Sequence, residues 1–371
     1  GEFLSPFLFG DWDGDGTGEA AVLYTSDAST NVWLAILEPS GDDWRVTQTV
    51  EGLSGEVETV TYAHLRDADS LQLLVGYTSA QGDRYLVVYL YSDETLQTIL
   101  NQQYTEMILA DVTGSAETQD LVLAIPTDTE NGGVTLNLLT NTDQGFQSLQ
   151  TLNIGEGDYS GCAALHAGTD AAGRPWLVMD GWASTARNSL ASSIITYDSE
   201  TGFLGTYYPE GISPSTMRRQ TLRYDPALLS TDIDGNGTID IPQELTDGGI
   251  LNEPLDSRLK FLLWQDYGDE SGGNFCFGIY DSEYRFFLPL PESMHGNVLV
   301  RPNGPGTGWL LCNAAGTMAY CELRIVDPAE AGGENYVRIA TIGSQQLQFR
   351  EINNYYGLTA SDLQKGVVLF E

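Results

Sequence analysis

Two short segments of the sequence carry oxygen-bearing side chains at the same spacing. In the first segment, residues 11–19, these side chains stand at positions 1, 3, 5 and 9 and belong to Asp11, Asp13, Asp15 and Glu19. In the second segment, residues 232–240, the same positions hold Asp232, Asp234, Asn236 and Asp240. Glycines separate the donors in both segments, and they permit the positive-φ turns that bring alternate side chains together.

This spacing indicates a cation site built from hard oxygen donors. A backbone carbonyl at position 7, from Thr17 or Thr238, would add a ligand to the side-chain oxygens. Ca²⁺ takes six to eight oxygens in a flexible cage, so it is the metal that such a set suits. The sequence therefore predicts a Ca²⁺ site in each loop. Trp12 lies inside the first polar loop, and we expect it to be partly exposed.

Two other interpretations compete with calcium loops between strands. An EF-hand needs a bidentate glutamate at position 12 and flanking helices. Position 12 is Val22 in the first loop and Gln243 in the second, and the first loop runs into the strand-like segment 20–24. A pair of Asx-turns without metal is the other alternative, but two near-identical copies of the spacing favour metal.

Three further segments resemble these loops in position but not in donors. The segment that begins at Asp111 keeps the first acid, while its last acid is delayed to Asp120, which leaves metal binding there open. His64 and His166 stand where the first aspartate of the other two segments would be. We assign no metal to those two, and we expect the histidines to line strand ends rather than form a catalytic pair.

The segments on either side of these loops are predicted to be strands. Short apolar or alternating runs bounded by Gly, Asn, Asp and Ser recur along the chain, which is typical of an all-β fold. The loop starts recur about every fifty residues, with further strand-like runs after each, which is the period of a four-stranded propeller blade. The prediction is a β-propeller of about six or seven blades.

The last third of the chain is less regular. We predict propeller blades over residues 1–291, whereas residues 292–371 form either degenerate closing blades or a small C-terminal β-rich domain. In the second case the propeller-like part would have five blades. The spacing of Thr359 and Asp362 predicts the start of one short helix near the C-terminus.

The two loops, each between a β-run and an apolar run, resemble FG-GAP/VCBS repeats, the calcium-bearing blades of integrin-α-type propellers. Phe9-Gly10 precedes the first loop as in that family, although the later Gly-Ala-Pro element is missing. The segment from Thr238 to Pro242 and the tail after it are also similar to exported lipoproteins of Gram-positive gut bacteria. The resemblance implies an extracellular or surface-anchored, calcium-binding propeller, and it brings no known activity.

Charge and composition exclude several kinds of function. With 52 acidic and 16 Lys or Arg residues the formal charge is −36, which repels phosphate backbones and argues against nucleic-acid binding. The same charge predicts a monomer and a protein partner that is basic or bridged by calcium. No apolar run is long enough to span a bilayer. Cys312 and Cys321 flank a plausible hairpin and are either bonded or, as we favour, free.

Two hypotheses about function remain from the sequence. The first is an exported, calcium-stabilised propeller that binds a glycan or protein ligand at the cell surface without catalysis. The second is a carbohydrate-active enzyme, a polysaccharide lyase or glycosidase with its site at the propeller axis. The absence of hydrolase, nucleotide-binding and zinc-protease motifs favours the first.

Overall fold

The structure is a computed structural model of the chain. It describes residues 1–26, 29–115, 117–127, 132–245, 249–250, 255–268, 274–304, 308–333 and 335–370. Within these stretches the chain forms 26 strands and a few short helices, so the predicted all-β fold is confirmed. The strands make six sheets of four or five strands each, a number within the predicted range of blades.

The first two sheets are meanders of four strands in which neighbours in sequence pair antiparallel. The first sheet contains β1 (Leu8–Gly10), β2 (Glu19–Ser26), β3 (Ser29–Ser40) and β4 (Asp43–Ser54). The second contains β5 (Glu56–Ala63), β6 (Gln72–Thr78), β7 (Arg84–Ser92) and β8 (Thr95–Tyr104).

The third and fourth sheets repeat this sequential order. The third contains β9 (Glu106–Ala110), β10 (Asp120–Ile125), β11 (Val134–Thr142) and β12 (Gly145–Ile154). The fourth contains β13 (Cys162–Thr169), β14 (Pro175–Trp182), β15 (Leu190–Asp198) and β16 (Phe203–Tyr207). Four consecutive strands per sheet is the layout of a propeller blade.

The last two sheets depart from it. The fifth contains β17 (Ile241–Glu244), β18 (Leu259–Gln265), β19 (Phe275–Asp281), β20 (Phe286–Pro289) and, from the C-terminal end, β26 (Val368–Leu369). The sixth contains β21 (Val298–Pro302), β22 (Gly308–Asn313), β23 (Ala319–Val326), β24 (Val337–Ile342) and β25 (Gln345–Glu351). In the sixth sheet β25 pairs with β23, which leaves β24 at the edge.

The helices are short. They are α1 (Pro214–Gln220), α2 (Leu255–Arg258), α3 (Ala360–Gly366) and a 3₁₀ turn at Glu292–Met294. The predicted helix start is confirmed at α3, where the Thr359 hydroxyl accepts from the Asp362 N–H and the Asp362 side chain accepts from the Thr359 N–H. None of the helices in the described stretches is long and apolar enough to cross a membrane.

Alternation along the central strands explains why the sheets stack. In β6, Leu73 and Val75 are buried in a cluster with side chains of the first sheet, while Leu74 lies in a cluster with Leu121 and Leu123 of β10. Successive strand residues point to opposite faces, so each central strand contributes to two cores at once. One sheet alone could not bury both faces, and neighbouring sheets supply the cover.

The chain divides into two compact units. Unit 1 comprises Gly1–Ala167, Pro175–Arg187 and Ser193–Tyr207, and unit 2 comprises Gly168–Arg174, Asn188–Ser192 and Tyr208–Glu371. Within unit 2, one buried apolar cluster runs from Leu255 to Leu363 and includes side chains from both sides of residue 292. The boundary near residue 292 stays a prediction.

Candidate metal sites

The predicted donors come together in both loops. The first loop connects β1 to β2 in unit 1, and the second precedes β17 in unit 2. Each donor carboxylate of a loop offers an oxygen, and these oxygens lie within 4.8 Å of one another in two sets: Asp11, Asp13, Asp15 and Glu19, and Asp232, Asp234 and Asp240. Among the described residues, these are the acidic, histidine or cysteine groups close enough to hold an ion.

The aspartate at position 1 organises each loop. Asp11 accepts hydrogen bonds from the backbone N–H of Gly14 (2.7 Å) and Gly16 (2.9 Å) through its two oxygens. Asp232 does the same with the glycines at the matching positions, each at 2.8 Å. These glycines have φ between 79° and 91°, which other residues adopt only with strain, and this explains the glycine at positions 4 and 6.

Positions 3 and 5 match in detail despite the Asp-to-Asn difference. The position-3 carboxylate accepts from the N–H two residues later at 3.1 Å in both loops. Asp15 accepts from the Thr17 N–H at 2.6 Å, and Asn236 accepts from the Thr238 N–H at 2.7 Å. Thr17 and Thr238 therefore join the hydrogen-bond network through their amides, while ligation by their carbonyls stays a prediction.

The acid at position 9 is buried where the following strand begins. Glu19 is 2% exposed and Asp240 is 3% exposed. Burial raises the pKa of each to about 7; a backbone hydrogen bond opposes the rise, and the neighbouring aspartates add to it. Burial, with the charges of Asp15 and Asp11, also raises the pKa of Asp13. Ionised oxygens so close together repel one another, and a bound cation would relieve that repulsion.

The residue at position 2 ties the loop to the core. Trp12 is 2% exposed, so the expectation of a partly exposed side chain was wrong. Its indole packs edge-on against Tyr62 with ring centroids 5.7 Å apart, and its backbone N–H donates to Glu19 at 2.8 Å. Ile233 takes the same position in the second loop, donates through its backbone N–H to Asp240 at 3.0 Å and packs against a buried cluster.

Two of the three related segments, those that begin at His64 and Asp111, keep this scaffold with other donors. Leu65 and Val112 are buried at position 2, and their N–H groups donate to Gln72 (2.7 Å) and Asp120 (2.8 Å). Gln72 is a neutral amide at the place of Glu19. Asp120 also accepts from the Thr113 hydroxyl at 3.2 Å. The apolar residue at position 2 and the polar residue eight or nine positions after the loop start are a signal that the sequence interpretation missed.

Histidines and cysteines lie outside these clusters. His64 Nδ1 is 2.9 Å from the Ser70 carbonyl, His166 Nε2 is 3.2 Å from the buried Asp180, and His295 packs on Phe277. All four cysteines are free thiols, including Cys312 and Cys321. Oxygen donors alone make up both clusters, and such a set could bind a hard metal ion.

Comparison with known proteins gives distant structural likeness only. No family matches the chain by sequence, and no curated protein does. A rhamnogalacturonan lyase of Bacillus licheniformis is similar with a TM-score of 0.33 and 12% identity over 70% of this chain and 59% of the lyase. A Lactobacillus plantarum protein is similar with a TM-score of 0.30 and 10% identity, over 90% of this chain and 85% of that protein. The exotype rhamnogalacturonan lyase YesX is similar with a TM-score of 0.21 and 13% identity, over 65% of this chain and 59% of the lyase. The chain thus spans less than two thirds of either lyase.

Proposed function

We propose that the protein is an exported, calcium-stabilised β-propeller that acts as a non-catalytic binding module at the cell surface. The observation that supports it most is the match between two loops far apart in sequence. They share donor spacing, glycine positions, a buried acid and the hydrogen bonds that hold them. A pair of metal-free turns has no need for a buried carboxylate among other carboxylates.

Calcium is the proposed ion because of the chemistry of the donors. Four carboxylates in the first loop, and three carboxylates with the Asn236 amide oxygen in the second, give a hard, oxygen-only set. Zn²⁺ and copper prefer the nitrogen and sulfur donors that both clusters lack. Mg²⁺ demands a tighter octahedral shell and retains its waters, so a flexible loop that supplies most of the ligand oxygens itself favours Ca²⁺.

The proposal of an extracellular location follows from the same ion. Calcium sites in extracellular modules bind with dissociation constants of about 0.1–1 mM, a range in which calcium is available outside cells. If each loop took one Ca²⁺, most of the formal charge of −36 would remain. That field favours a soluble, monomeric module.

Calorimetry on chelator-treated protein tests the calcium part. We expect two binding events for Ca²⁺ and weaker binding of Mg²⁺. Asp13→Ala and Asp234→Ala should each remove one event, whereas Asp111→Ala in the third segment is the matched control and should leave both. No calcium binding at millimolar concentration would overturn the proposal.

A glycan array with and without calcium tests the binding part, together with turnover assays on pectins, xylans and generic esters. We expect retention of a ligand without conversion. Turnover that one acidic substitution abolishes would establish the carbohydrate-active enzyme instead.

A further inference from the structure

A cavity of about 490 Å³ opens in unit 1. It is formed by segments that follow or join strands of the second, third and fourth sheets. These are residues 82–84, 103–106, 125–127, 133–134 and 160–163, with Trp182 and Arg187. Each of these segments comes after the second or the fourth strand of a sheet. The candidate metal loop of this unit comes after a first strand, between β1 and β2. Because neighbouring strands are antiparallel, the cavity and the metal loop lie at opposite ends of the sheets.

Arg187 brings to this cavity a guanidinium that makes no ion pair with the described residues. Its side chain is exposed, and no carboxylate or carbonyl of the described residues accepts from its guanidinium. Its backbone has φ of 52°, in the left-handed region, and its N–H donates to the Ser184 carbonyl at 3.1 Å. A non-glycine residue held in this region carries strain, and such residues concentrate at functional sites.

Trp182 lines the same cavity from the end of β14 and is half-buried. Its backbone is fixed to the neighbouring segment, since its N–H donates to the Gly161 carbonyl and its carbonyl accepts from the Ser160 N–H, both at 2.8 Å. The Ser160 hydroxyl further donates to the Ser184 carbonyl at 2.7 Å, which ties the turn before Arg187 to the same segment. The indole and the start of the arginine turn are therefore positioned by one network.

Besides Arg187, the cavity is lined by one arginine, Arg84, and by two carboxylates, Asp83 and Glu106. Arg84 is committed to Glu58 (2.7 Å) and Glu106 (3.1 Å), and it stacks over the Tyr104 ring at 4.8 Å. Burial raises the pKa of Glu106, while the Arg84 charge opposes the rise. Asp83 accepts from Gln103 at 3.2 Å. With Arg187 the lining is formally neutral, and Arg187 is the cation of the cavity whose guanidinium makes no ion pair with the described residues, so it is available to a ligand.

We propose that this cavity binds a carboxylate-bearing sugar, a hexuronate, with the Trp182 indole against the sugar ring and the Arg187 guanidinium on the carboxylate. An arginine fork matches a carboxylate in two hydrogen bonds, and an aromatic face accepts the apolar face of a sugar. A cavity of this volume lies in the range of small-ligand sites. At physiological ionic strength the Debye length is about 8 Å, so nearby charges rather than the whole chain decide affinity. The inference names the ligand class of the proposed binding module and rests on that proposal.

Calorimetry with digalacturonate and its methyl ester tests it, because the two ligands differ in charge and not in ring structure. We expect digalacturonate to bind at least ten-fold more tightly. Arg187→Gln should lose about 10- to 100-fold for digalacturonate and little for the ester, the range of a charge-assisted hydrogen bond. The affinity of Arg187→Lys for digalacturonate should lie between those of the parent and Arg187→Gln. Trp182→Ala should weaken the binding of both ligands.

Two controls keep the outcome clear. Arg301→Gln removes an exposed arginine of β21 and should change nothing. Arg187→Gly relieves the left-handed backbone, so this variant should be at least as stable as the parent and still lose digalacturonate. Equal binding by the parent and Arg187→Gln would overturn the inference.

The remaining outcomes separate this inference from the proposed function. If EDTA abolishes digalacturonate binding and Arg187→Gln does not, the sugar carboxylate binds to a metal ion. That result would overturn the proposed site at Arg187. An array that retains only neutral glycans or proteins would overturn the inference and leave the binding module standing. Cleavage of digalacturonate with loss on Arg187→Gln would support the cavity and overturn the non-catalytic role.

Discussion

Replacing Glu19 by glutamine separates the two consequences of a buried acid in the first loop. The amide oxygen that the substitution introduces can still accept the Trp12 backbone N–H, as Gln72 accepts the Leu65 N–H in the second sheet. What Glu19→Gln removes is the charge. The parent must ionise a carboxyl whose pKa is raised from 4.5 to about 7, and at pH 8 without metal this costs about 3 kcal/mol.

The sign of the pH dependence follows from proton binding. Between pH 4.5 and 7 the unfolded chain releases this proton and the folded loop keeps it, so the metal-free parent loses stability as pH rises. In EDTA, Glu19→Gln should therefore be more stable than the parent by about 3 kcal/mol at pH 8 and by under about 1 kcal/mol at pH 5. With calcium at 100 times its Kd this advantage of the variant at pH 8 should nearly vanish, because the filled site stabilises the parent by about 2.7 kcal/mol and the variant lacks one ligand.

Urea denaturation of parent and variant, with EDTA or excess calcium at both pH values, measures these differences. Glu117→Gln removes an exposed acid near the third segment and should change stability by less than about 0.5 kcal/mol in every condition. A variant less stable than the parent in EDTA at pH 8 would refute the reasoning, as would a difference that does not depend on pH.

Three further predictions follow from the same loops. Calcium affinity should fall as pH drops from 8 to 5, because the two acids with pKa of about 7 must lose protons to ligate; calorimetry in buffers of different ionisation enthalpy should detect the released protons. Gln72→Glu should destabilise the protein by about 1–3 kcal/mol at pH 8 and less at pH 5, since it places a carboxylate in a fully buried position; a thermal melt that is unchanged at pH 8 would contradict this. Calcium should raise the melting temperature of the parent, Asp13→Ala and Asp234→Ala should each remove part of that rise, and a melt insensitive to EDTA would contradict the calcium proposal.

The first loop shows how far the sequence predicts the site. Donor spacing and glycine positions were sufficient to identify Asp11, Asp13 and Asp15 as a cluster, because local backbone geometry alone turns these side chains to one side. The burial of Trp12 was missed since the loop was judged by its polar composition. Alternation within the loop sends position 2 away from the donors and into the core beside Tyr62.

Long-range pairing was beyond the sequence pattern. The regular spacing predicted sheets of consecutive strands, which holds for the first four. Nothing local in Val368–Leu369 indicates that it joins the fifth sheet, because that pairing depends on which edge is open after all other strands have found partners. The cavity near Arg187 was missed for a similar reason: its walls come from segments of three sheets.

The pairing of β20 with β26 also bears on the order in which the chain acquires its structure during synthesis. Most strands pair with one that has just left the ribosome, so these hairpins can form as they emerge. In β20, Phe286 pairs with Leu369 and Phe287 pairs with Val368. This edge of β20 therefore stays unpaired until a segment about eighty residues later has been synthesised. Until then it is an open apolar edge of the kind that invites pairing with another chain. The edge of β20 can therefore be closed in this way only after Val368 and Leu369 have emerged.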